Sequence, residues 1–157
     1  MSMRRKDRAV TQEADLLQIL QSCKVCRVAM NTGAYPYIVP MNFGFSYESG
    51  TLTLFFHSAL EGRKIDLLRA DPRVCFEMDC AHSLIISDKA CGYGYRFQSI
   101  IGEGDMEIVA DAEEKMRGLA CLMAHQTGRS FTFSPEDVAA VTVLRLRVRQ
   151  WTGKAHV

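Results

Sequence analysis

The stretch TLTLFFHSALEGRK, residues 51–64, contains a strand pattern that is followed at once by a helix start. Residues 51–57 are rich in β-branched and aromatic side chains, which favour a strand, and the turn Glu48-Ser49-Gly50 precedes them. Ser58 and Glu61 have the Ser-x-x-Glu spacing of a capping box, which predicts that a helix begins there. The stretch therefore predicts a strand that leads directly into a capped helix.

Towards the N-terminus, the pattern predicts a helix and two more strands. Apolar residues recur at helical spacing over 12–22, with Thr11 as the expected N-cap. Residues 25–31 and 37–47 have strand composition. Pro36 and Pro40 at the second run favour an edge strand or a bulge, because proline cannot donate to a ladder. Successive hairpins of this kind indicate an antiparallel meander.

Towards the C-terminus, strands and helices continue to alternate. Strands are predicted over 73–79, 95–109 and 140–151, and helices over 111–127 and from Ser134 onwards. Residues 80–94 are polar and contain glycine, so a long connection is expected there. About six strands with helices between them predict a single domain over 1–157 of the α+β class, mainly β, built as a β-barrel with 1–10 as a polar tail.

The composition limits the classes of protein that fit. Of the 157 residues, 48% are hydrophobic and 24% are charged, so a disordered chain is excluded. The formal net charge of +1 gives no overall attraction to nucleic acid or to an anionic membrane, and neither partner is expected. No apolar run reaches the roughly 18 residues of a membrane-spanning helix, and no secretory signal pattern is seen, so a cytoplasmic protein is expected.

Six cysteines raise the question of disulfides or a metal: Cys23, Cys26, Cys75, Cys80, Cys91 and Cys121. Cytosolic thiols are normally reduced, so disulfides are not expected. The Cys23-x-x-Cys26 spacing lacks the second pair that a structural zinc site usually has, and Cys75-x4-Cys80 is a poor substitute. Core or incidental thiols are the favoured interpretation and no metal is predicted, although the Cys23 and Cys26 pair leaves that possibility open.

The helix start after residue 57 also suits an anion. A helix N-terminus offers unpaired N–H groups and the positive end of the helix dipole, which together bind phosphate. Arg63 and Lys64 follow within the first two turns, where cations oppose the dipole unless an anion is bound. A capped surface helix with two solvated bases explains the same residues, and the pattern alone favours neither interpretation.

Several short strings, taken together, resemble a known family. They are YPYIVPMNFG (35–44), LFFHSA (54–59), GRK (62–64), DPRV (71–74), SIIGEG (99–104) and WTGK (151–154). In this order and spacing, over about residues 3–155, the chain resembles the pyridoxamine 5′-phosphate oxidase-like flavoproteins. Within that family it is most similar to the nitroimidazole-resistance (Nim) branch.

The resemblance implies an FMN-binding split β-barrel with peripheral helices, in a homodimer that holds FMN in a cleft between its subunits. Arg63 and Lys64 correspond to the pair that binds the FMN phosphate. His57 corresponds to a histidine near the flavin that is proposed to take part in reduction, and the strand at 41–43 edges the isoalloxazine ring. The expected cofactor contacts are Met41, Asn42, Phe43, His57, Ser58, Ala59, Arg63, Lys64, Gln98, Ser99 and Trp151, of which Gln98, Ser99 and Trp151 come from either subunit.

Two departures from the oxidase itself argue against vitamin B6 oxidase activity. Gly62 stands where the oxidase has a serine that donates to the phosphate, and this sequence lacks the basic C-terminal segment that holds pyridoxamine phosphate. The expected function is an FMN-dependent oxidoreductase that reduces a small acceptor, such as a nitroaromatic compound, with electrons from NADH, NADPH or another donor. The alternative is a protein that binds a flavin or haem without turnover of its own.

Three other features have competing interpretations. The apolar strand at 140–146 and the methionine-bearing helix at 111–127 are expected to bury the seam of the homodimer. Asp105 and Glu107 lie on one face of a strand, which suits acid–base work, but a solvent-facing stripe is the favoured interpretation. Trp151, at the end of the last strand, is either a core residue or a neighbour of the flavin.

Overall fold

Eight antiparallel strands and four α-helices form the part of the protein that the computed structural model describes, residues 4–157. The strands are β1 (Ala9–Val10), β2 (Val25–Met30), β3 (Tyr37–Asn42), β4 (Gly44–Glu48), β5 (Thr51–Ser58), β6 (Arg73–Ile85), β7 (Gly94–Ile108) and β8 (Thr142–His156). The helices are α1 (Glu13–Ser22), α2 (Arg63–Ala70), α3 (Ala112–Thr127) and α4 (Pro135–Ala139), with short 3-10 turns at Lys6–Arg8 and Ala90–Gly92. The predicted α+β, mainly β class is confirmed.

The strands form one sheet in the order β3-β2-β6-β7-β8-β5-β4, with β1 added to β8. The end strands β3 and β4 follow each other in the chain with only Phe43 between them, so the sheet curls round into a split barrel. Among residues 4–157, β3 pairs only with β2, and its other edge approaches β5 to within 8 Å between Cα atoms without forming a ladder. We call this gap between β3 and β5 the split. Pro40 therefore lies in an edge strand, as predicted.

The prediction of one continuous strand over 37–47 is wrong. Residues 37–42 pair with β2, whereas residues 44–48 pair with β5. A Cβ at Gly44 would lie 2.4 Å from the backbone of Leu122 in α3, so only glycine lets the helix approach this closely. The chain passes from one partner strand to the other at this contact.

Two further boundaries differ from the predicted ones. β6 continues to Ile85 instead of ending near residue 79, because its last residues pair with the start of β7 beyond a bulge that follows Cys80. At the other end of the chain, Ala9–Val10 pairs with β8, so the predicted polar tail ends before this strand. The part of that tail at residues 1–3 lies outside the described residues.

The barrel interior is filled by side chains that alternate along the strands. Phe56, Phe76 and Met78 are buried there, and α1 adds Ile19 and Leu20 to the same core. A second, smaller cluster of apolar side chains lies beneath α3 and α4. No helix within residues 4–157 is long and apolar enough to cross a bilayer.

The strand predicted to form part of the dimer seam lies inside the protomer instead. Val143, Leu144 and Leu146 are fully buried inside the protomer. Met116 of α3 packs against the smaller core cluster, which contains Val143. These strand side chains are covered within one protomer and cannot supply a seam between subunits, whereas the use of helix α3 in a seam stays a prediction.

The six cysteines are free thiols, and Cys23 and Cys26 belong to the main core. Burial raises the pKa of both thiols, because a thiolate is disfavoured away from water. Among residues 4–157, no three His, Cys, Asp or Glu side chains are grouped so that they could hold a metal ion. The structure therefore supports the interpretation of this pair as core thiols.

Candidate functional site

Helix α2 begins with free backbone donors. The N–H groups of Ile65 and Asp66 donate to the Gly62 carbonyl at 2.9 and 3.2 Å, and these are the first bonds of the helix. The N–H groups of Arg63 and Lys64 precede them, and no side chain of the described residues caps them. The positive end of the helix dipole lies at the same place. This end of α2 can therefore bind an anion.

The predicted capping box at Ser58 and Glu61 is wrong. Ser58 is the last residue of β5, where it pairs with Thr142 of β8, and α2 begins only at Arg63. The N-cap is Gly62, with φ 133° and ψ 168°, a conformation open essentially to glycine alone. The helix therefore starts later than predicted, and its N-cap residue has no side chain.

Two cations stand at this uncapped end. The Arg63 guanidinium lies 4.4 Å from the centre of the Tyr37 ring, at the start of β3, in a cation–π contact. Lys64 is half-buried. Neither cation has a carboxylate partner within the described chain, whereas Arg69 of the same helix pairs with Asp66 at 3.8 Å. The helix start thus carries positive charge that the protein itself does not neutralise.

His57 and Ser58 end β5 just before this helix. The alternation along the strand turns the His57 side chain outwards, where it is exposed, and buries Ser58. Ala59 follows in the exposed link that leads to α2. Neither the imidazole nor the hydroxyl forms a hydrogen bond inside residues 4–157. The exposed imidazole is open to a ligand, whereas the Ser58 hydroxyl is buried.

The third predicted group lies where β3 ends beside the split. Met41 and Phe43 are buried, so only the backbone can edge a ligand there. The Asn42 amide nitrogen donates to the Lys24 carbonyl at 3.1 Å and to the Gln126 side-chain oxygen at 3.3 Å. Since Tyr37 of the same strand contacts Arg63, the structure brings β3, the end of β5 and the start of α2 together at the split.

The predicted residues on β7 lie elsewhere on the protomer. Ser99 pairs with Lys154 of β8, whereas His57 pairs with Val143, eleven residues earlier along β8. That separation is about 36 Å of strand at 3.3 Å per residue. β2 and β6 also lie between β7 and β3. Gln98 neighbours Ser99, so neither residue joins the group at the split within one protomer.

Trp151 packs against the main core. Its ring is half-buried and meets Tyr47 of β4 edge-on, with 6.1 Å between the ring centres. This contact favours the core interpretation of the tryptophan. Gln98, by contrast, presents its side-chain oxygen to the Cys80 thiol, which donates to it at 3.7 Å.

The carboxylates of Asp105 and Glu107 are engaged in ion pairs on the outer face of the barrel. Asp105 pairs with Arg149, and Glu107 pairs with Arg145 at 3.0 Å and with Arg147 at 3.3 Å. Carboxylates neutralised by arginine in this way are poor general acids or bases. The favoured interpretation, a solvent-facing stripe, is consistent with these pairs.

A groove of about 410 Å³ runs across the outer face of β2, β6, β7 and β8, and we call it the outer groove. Ala29, Val74 and Cys75 are among the residues of its floor, and Arg73 and Arg149 stand at its rim. The exposed side chains of Ile38 and Ile101 line a smaller cavity of about 240 Å³ that shares Ala29 and Cys75 with it. No sequence pattern predicts this face.

Two further residues at the split were not predicted from the sequence. Tyr37 holds the Arg63 side chain, and the Gln126 amide nitrogen donates to the Phe43 carbonyl at 2.8 Å. No local pattern joins residues that lie 83 positions apart, as Phe43 and Gln126 do. Only the packing of α3 on the barrel brings them together.

Comparison with known proteins identifies the family. The sequence profile of the pyridoxamine 5′-phosphate oxidase family matches residues 12–155, which is nearly the whole chain. The chain belongs to this family.

Solved structures of similar proteins agree with this assignment. A candidate 5-nitroimidazole antibiotic resistance protein from Bacteroides thetaiotaomicron is 32% identical, with a TM-score of 0.81 over 94% of this chain and 86% of that one. Two structures at 18% identity share the fold. The flavocytochrome of Azotobacter vinelandii has a TM-score of 0.79 over 99% of this chain and 72% of its own, and the FAD and heme binding protein of Mycobacterium smegmatis has 0.78 over 94% and 73%. No curated protein matches the sequence.

Gly62 marks a difference between this chain and the oxidase for which the pyridoxamine 5′-phosphate oxidase family is named. The sequence resemblance places a phosphate-binding serine of that oxidase at this position, but a φ of 133° excludes serine without strain. Residue 62 of this chain therefore offers no hydroxyl, and the donors present at the helix start are backbone N–H groups and the side chains of Arg63 and Lys64.

Proposed function

We propose that the protein is an FMN-binding oxidoreductase whose cofactor phosphate binds at the start of α2. The observation that carries this proposal is the uncapped helix end, where two backbone N–H groups and two unpaired cations meet. A phosphate dianion accepts from such donors in charge-assisted hydrogen bonds. The residues present therefore fit the phosphate of FMN.

Each residue at the split has a role in this proposal. Arg63 and Lys64 bind the phosphate, and the Ser58 hydroxyl, which lies four residues before Gly62, is a further donor. The free edge of β3 offers backbone N–H and carbonyl groups to the isoalloxazine ring, because no other strand pairs with it. FMN, when bound, supplies the electron-transfer chemistry, while the protein orients it and keeps one face open to a small acceptor.

His57 is the proposed proton donor. Its imidazole is exposed at the end of β5, beside the helix that would hold the phosphate. Imidazole is the side chain best suited to give and take a proton near neutral pH. A ring nitrogen of His57 would deliver the proton that a nitro group or similar acceptor needs as it is reduced.

A homodimer would complete the site. Gln98 and Ser99 lie far along the sheet from His57 in one protomer, so a ligand at the split could meet them only from a second copy. The smaller cavity beside the outer groove provides a surface for that copy, since it is lined by the exposed apolar side chains of Ile38 and Ile101, which we call the apolar strip. Charged side chains of both signs lie around this apolar strip, such as Arg27 paired with Asp79 at 2.7 Å and Arg149 paired with Asp105. In a two-fold interface, positive side chains of one copy can face negative side chains of the other.

The proposed acceptor is a small nitroaromatic compound, and the proposed donor is NADH or NADPH. The similarity to the Bacteroides protein supports this choice of acceptor. The protein is proposed to act in the cytoplasm.

Two measurements test the function. An absorbance spectrum of the purified protein after reconstitution distinguishes bound FMN from bound haem. Anaerobic oxidation of NADH or NADPH is then followed with and without a nitroimidazole, and we expect turnover that depends on both FMN and the acceptor. Bound flavin with no turnover for any of several acceptors would contradict the enzymatic part and favour a binding protein.

A further inference from the structure

The link between β3 and β4 is fixed by the last two turns of α3. A Cβ at Gly44 would lie 2.4 Å from the Leu122 backbone, so the helix rests directly on the backbone of the link. The Cys121 thiol, nearly two turns before the end of the helix, donates to the Phe45 carbonyl at 2.9 Å. The same helix therefore touches the chain at both sides of residue 44.

Gln126 ties this link to two other segments. Its amide nitrogen donates to the Phe43 carbonyl at 2.8 Å and to the Lys24 carbonyl at 3.1 Å, while its oxygen accepts from the Asn42 amide at 3.3 Å. Asn42 also donates to the Lys24 carbonyl at 3.1 Å. One side chain of α3 thereby holds the end of β3 and the residue just before β2.

His125 holds the same place from inside the protein. Its buried ring lies between Phe43 and Phe45, at 4.7 and 5.2 Å between ring centres. Its Nε2 lies 2.8 Å from the Cys23 carbonyl, and because a carbonyl can only accept, Nε2 carries the proton. The Lys24 ammonium donates to the His125 carbonyl at 2.7 Å, so the segment just before β2 and the end of α3 are joined by bonds in both directions.

These contacts matter because β3 is an edge strand. It pairs with β2 alone, so its free edge at the split is held by one ladder and by whatever fixes the end of the strand. We propose that Gln126 and His125 are positioning residues, which hold the β3 edge at the distance that a flavin ring requires. This inference rests on the proposed function, since it concerns the ring end of the same site.

The inference separates the ring end from the phosphate end. Removal of the Gln126 amide would let the edge at Asn42 and Phe43 move, and would leave the start of α2 as it is. Riboflavin and FMN share the ring, so both should lose affinity by the same factor. A loss of roughly three- to thirtyfold is expected, the range that indirect couplings of this kind produce.

The experiment is a titration of both flavins into Gln126→Ala, Gln126→Glu and the matched control Gln21→Ala. Gln21 is an exposed glutamine of helix α1 with no contact to the split. Gln126→Glu keeps the size of the side chain, but an ionised carboxylate cannot donate to the Phe43 and Lys24 carbonyls. This variant replaces Gln126→Ala in the titration if Gln126→Ala does not fold. The absorption band of the bound flavin and the thermal midpoint without flavin are recorded for each variant.

Equal loss for the two flavins in either Gln126 variant, with a changed absorption band and an unchanged control, supports the inference. Unchanged affinity in a folded variant would overturn it, as would a loss restricted to FMN, which would place the effect at the phosphate. A lower thermal midpoint with normal affinity of the folded protein would also overturn it and leave a structural role only. Failure of the proposed flavin binding gives a different result, because the unmodified protein would then bind neither flavin, and failure of the enzymatic part alone would leave these affinities unchanged.

Discussion

At the scale of single residues, Arg63 and Lys64 carry the proposed phosphate site. If each makes a charge-assisted hydrogen bond worth about 1.5–3 kcal/mol, replacing both by alanine weakens FMN binding by roughly 3–6 kcal/mol, less where the two effects overlap. Riboflavin has no phosphate, so its affinity should barely change. Fluorescence titration of the two flavins into the double variant measures the difference.

Arg69 provides the matched control for this change. It lies in the last turn of α2, is paired with Asp66 and is far from the helix start, so Arg69→Ala should leave both affinities unchanged. Unchanged FMN affinity in the Arg63→Ala/Lys64→Ala protein would show that the phosphate does not bind at this helix. Equal loss for both flavins would mean that the substitutions damaged the fold.

Gly62 sets where α2 begins, and its replacement should lower the free energy of unfolding. No atom lies within 4 Å of a Cβ built there, so the effect of Gly62→Ala is backbone strain at φ 133° alone. Such strain costs about 1–3 kcal/mol, which urea denaturation would detect. Gly33→Ala, at φ 77° and also in open space, is closer to the region that other residues adopt and should cost less. A stable Gly62→Ala protein would show that the helix start tolerates another conformation.

At the scale of elements, the junction of α3 with the barrel predicts a dependence of stability on pH. Burial lowers the pKa of His125 below its ordinary value of 6.5, because the charged ring is disfavoured inside the protein. The unfolded chain therefore binds a proton at a higher pH than the folded one. The free energy of unfolding is at its full value above pH 6.5 and decreases as the pH falls towards the lowered pKa.

His125→Gln tests this dependence, since glutamine can still donate to the Cys23 carbonyl but does not titrate. Urea unfolding of both proteins between pH 8 and pH 5 should show a smaller loss of stability in the variant. The lowered pKa values of Asp7, Asp71 and Asp137 belong to groups that titrate below this window. Equal slopes for the two proteins would assign the dependence to other groups.

The helices also show where sequence patterns succeed and where they fail. The predicted start of α4 is correct, because Ser134 and Asp137 form a capping box from residues only three positions apart. The same kind of pattern at Ser58 and Glu61 forms none. There the pairing of Ser58 with Thr142, a residue far along the chain, extends the strand and delays the helix. Local patterns decide an element only where no distant strand competes.

The candidate site divides in the same way. Arg63 and Lys64 could be placed in the first two turns of a helix from the sequence, although the start predicted at Ser58 is wrong and the helix begins at Arg63 itself. The contacts of Gln126 and His125 with the end of β3 could not be predicted from the sequence, since they depend on how α3 packs against the barrel. The separation of Ser99 from His57 likewise follows only from the order of the strands.

At the scale of the whole molecule, the apolar strip of Ile38 and Ile101 beside the outer groove predicts a homodimer. Replacing Ile38 and Ile101 by aspartate places two charges on the apolar strip, which a buried interface does not tolerate. Sedimentation equilibrium should give twice the 17.6 kDa chain mass for the unmodified protein and a single chain mass for this variant. The variant should also lose flavin affinity, because Gln98 and Ser99 of the second copy are lost with it.

Phe131→Asp is the control, since Phe131 is an exposed apolar residue in the link between α3 and α4. It should leave the mass unchanged. A 17.6 kDa monomer of the unmodified protein that retains one flavin per chain would contradict both the dimer and the need for a second copy.

The open start of α2 has a practical consequence for anyone who measures this protein. Its free N–H groups and unpaired cations attract any small oxyanion, whether or not a flavin is attached to it. Sulfate or inorganic phosphate in a buffer would therefore compete for the same donors. The apparent affinity for FMN should fall as either salt is added, while that for riboflavin stays constant, so the two flavins rank differently in different buffers.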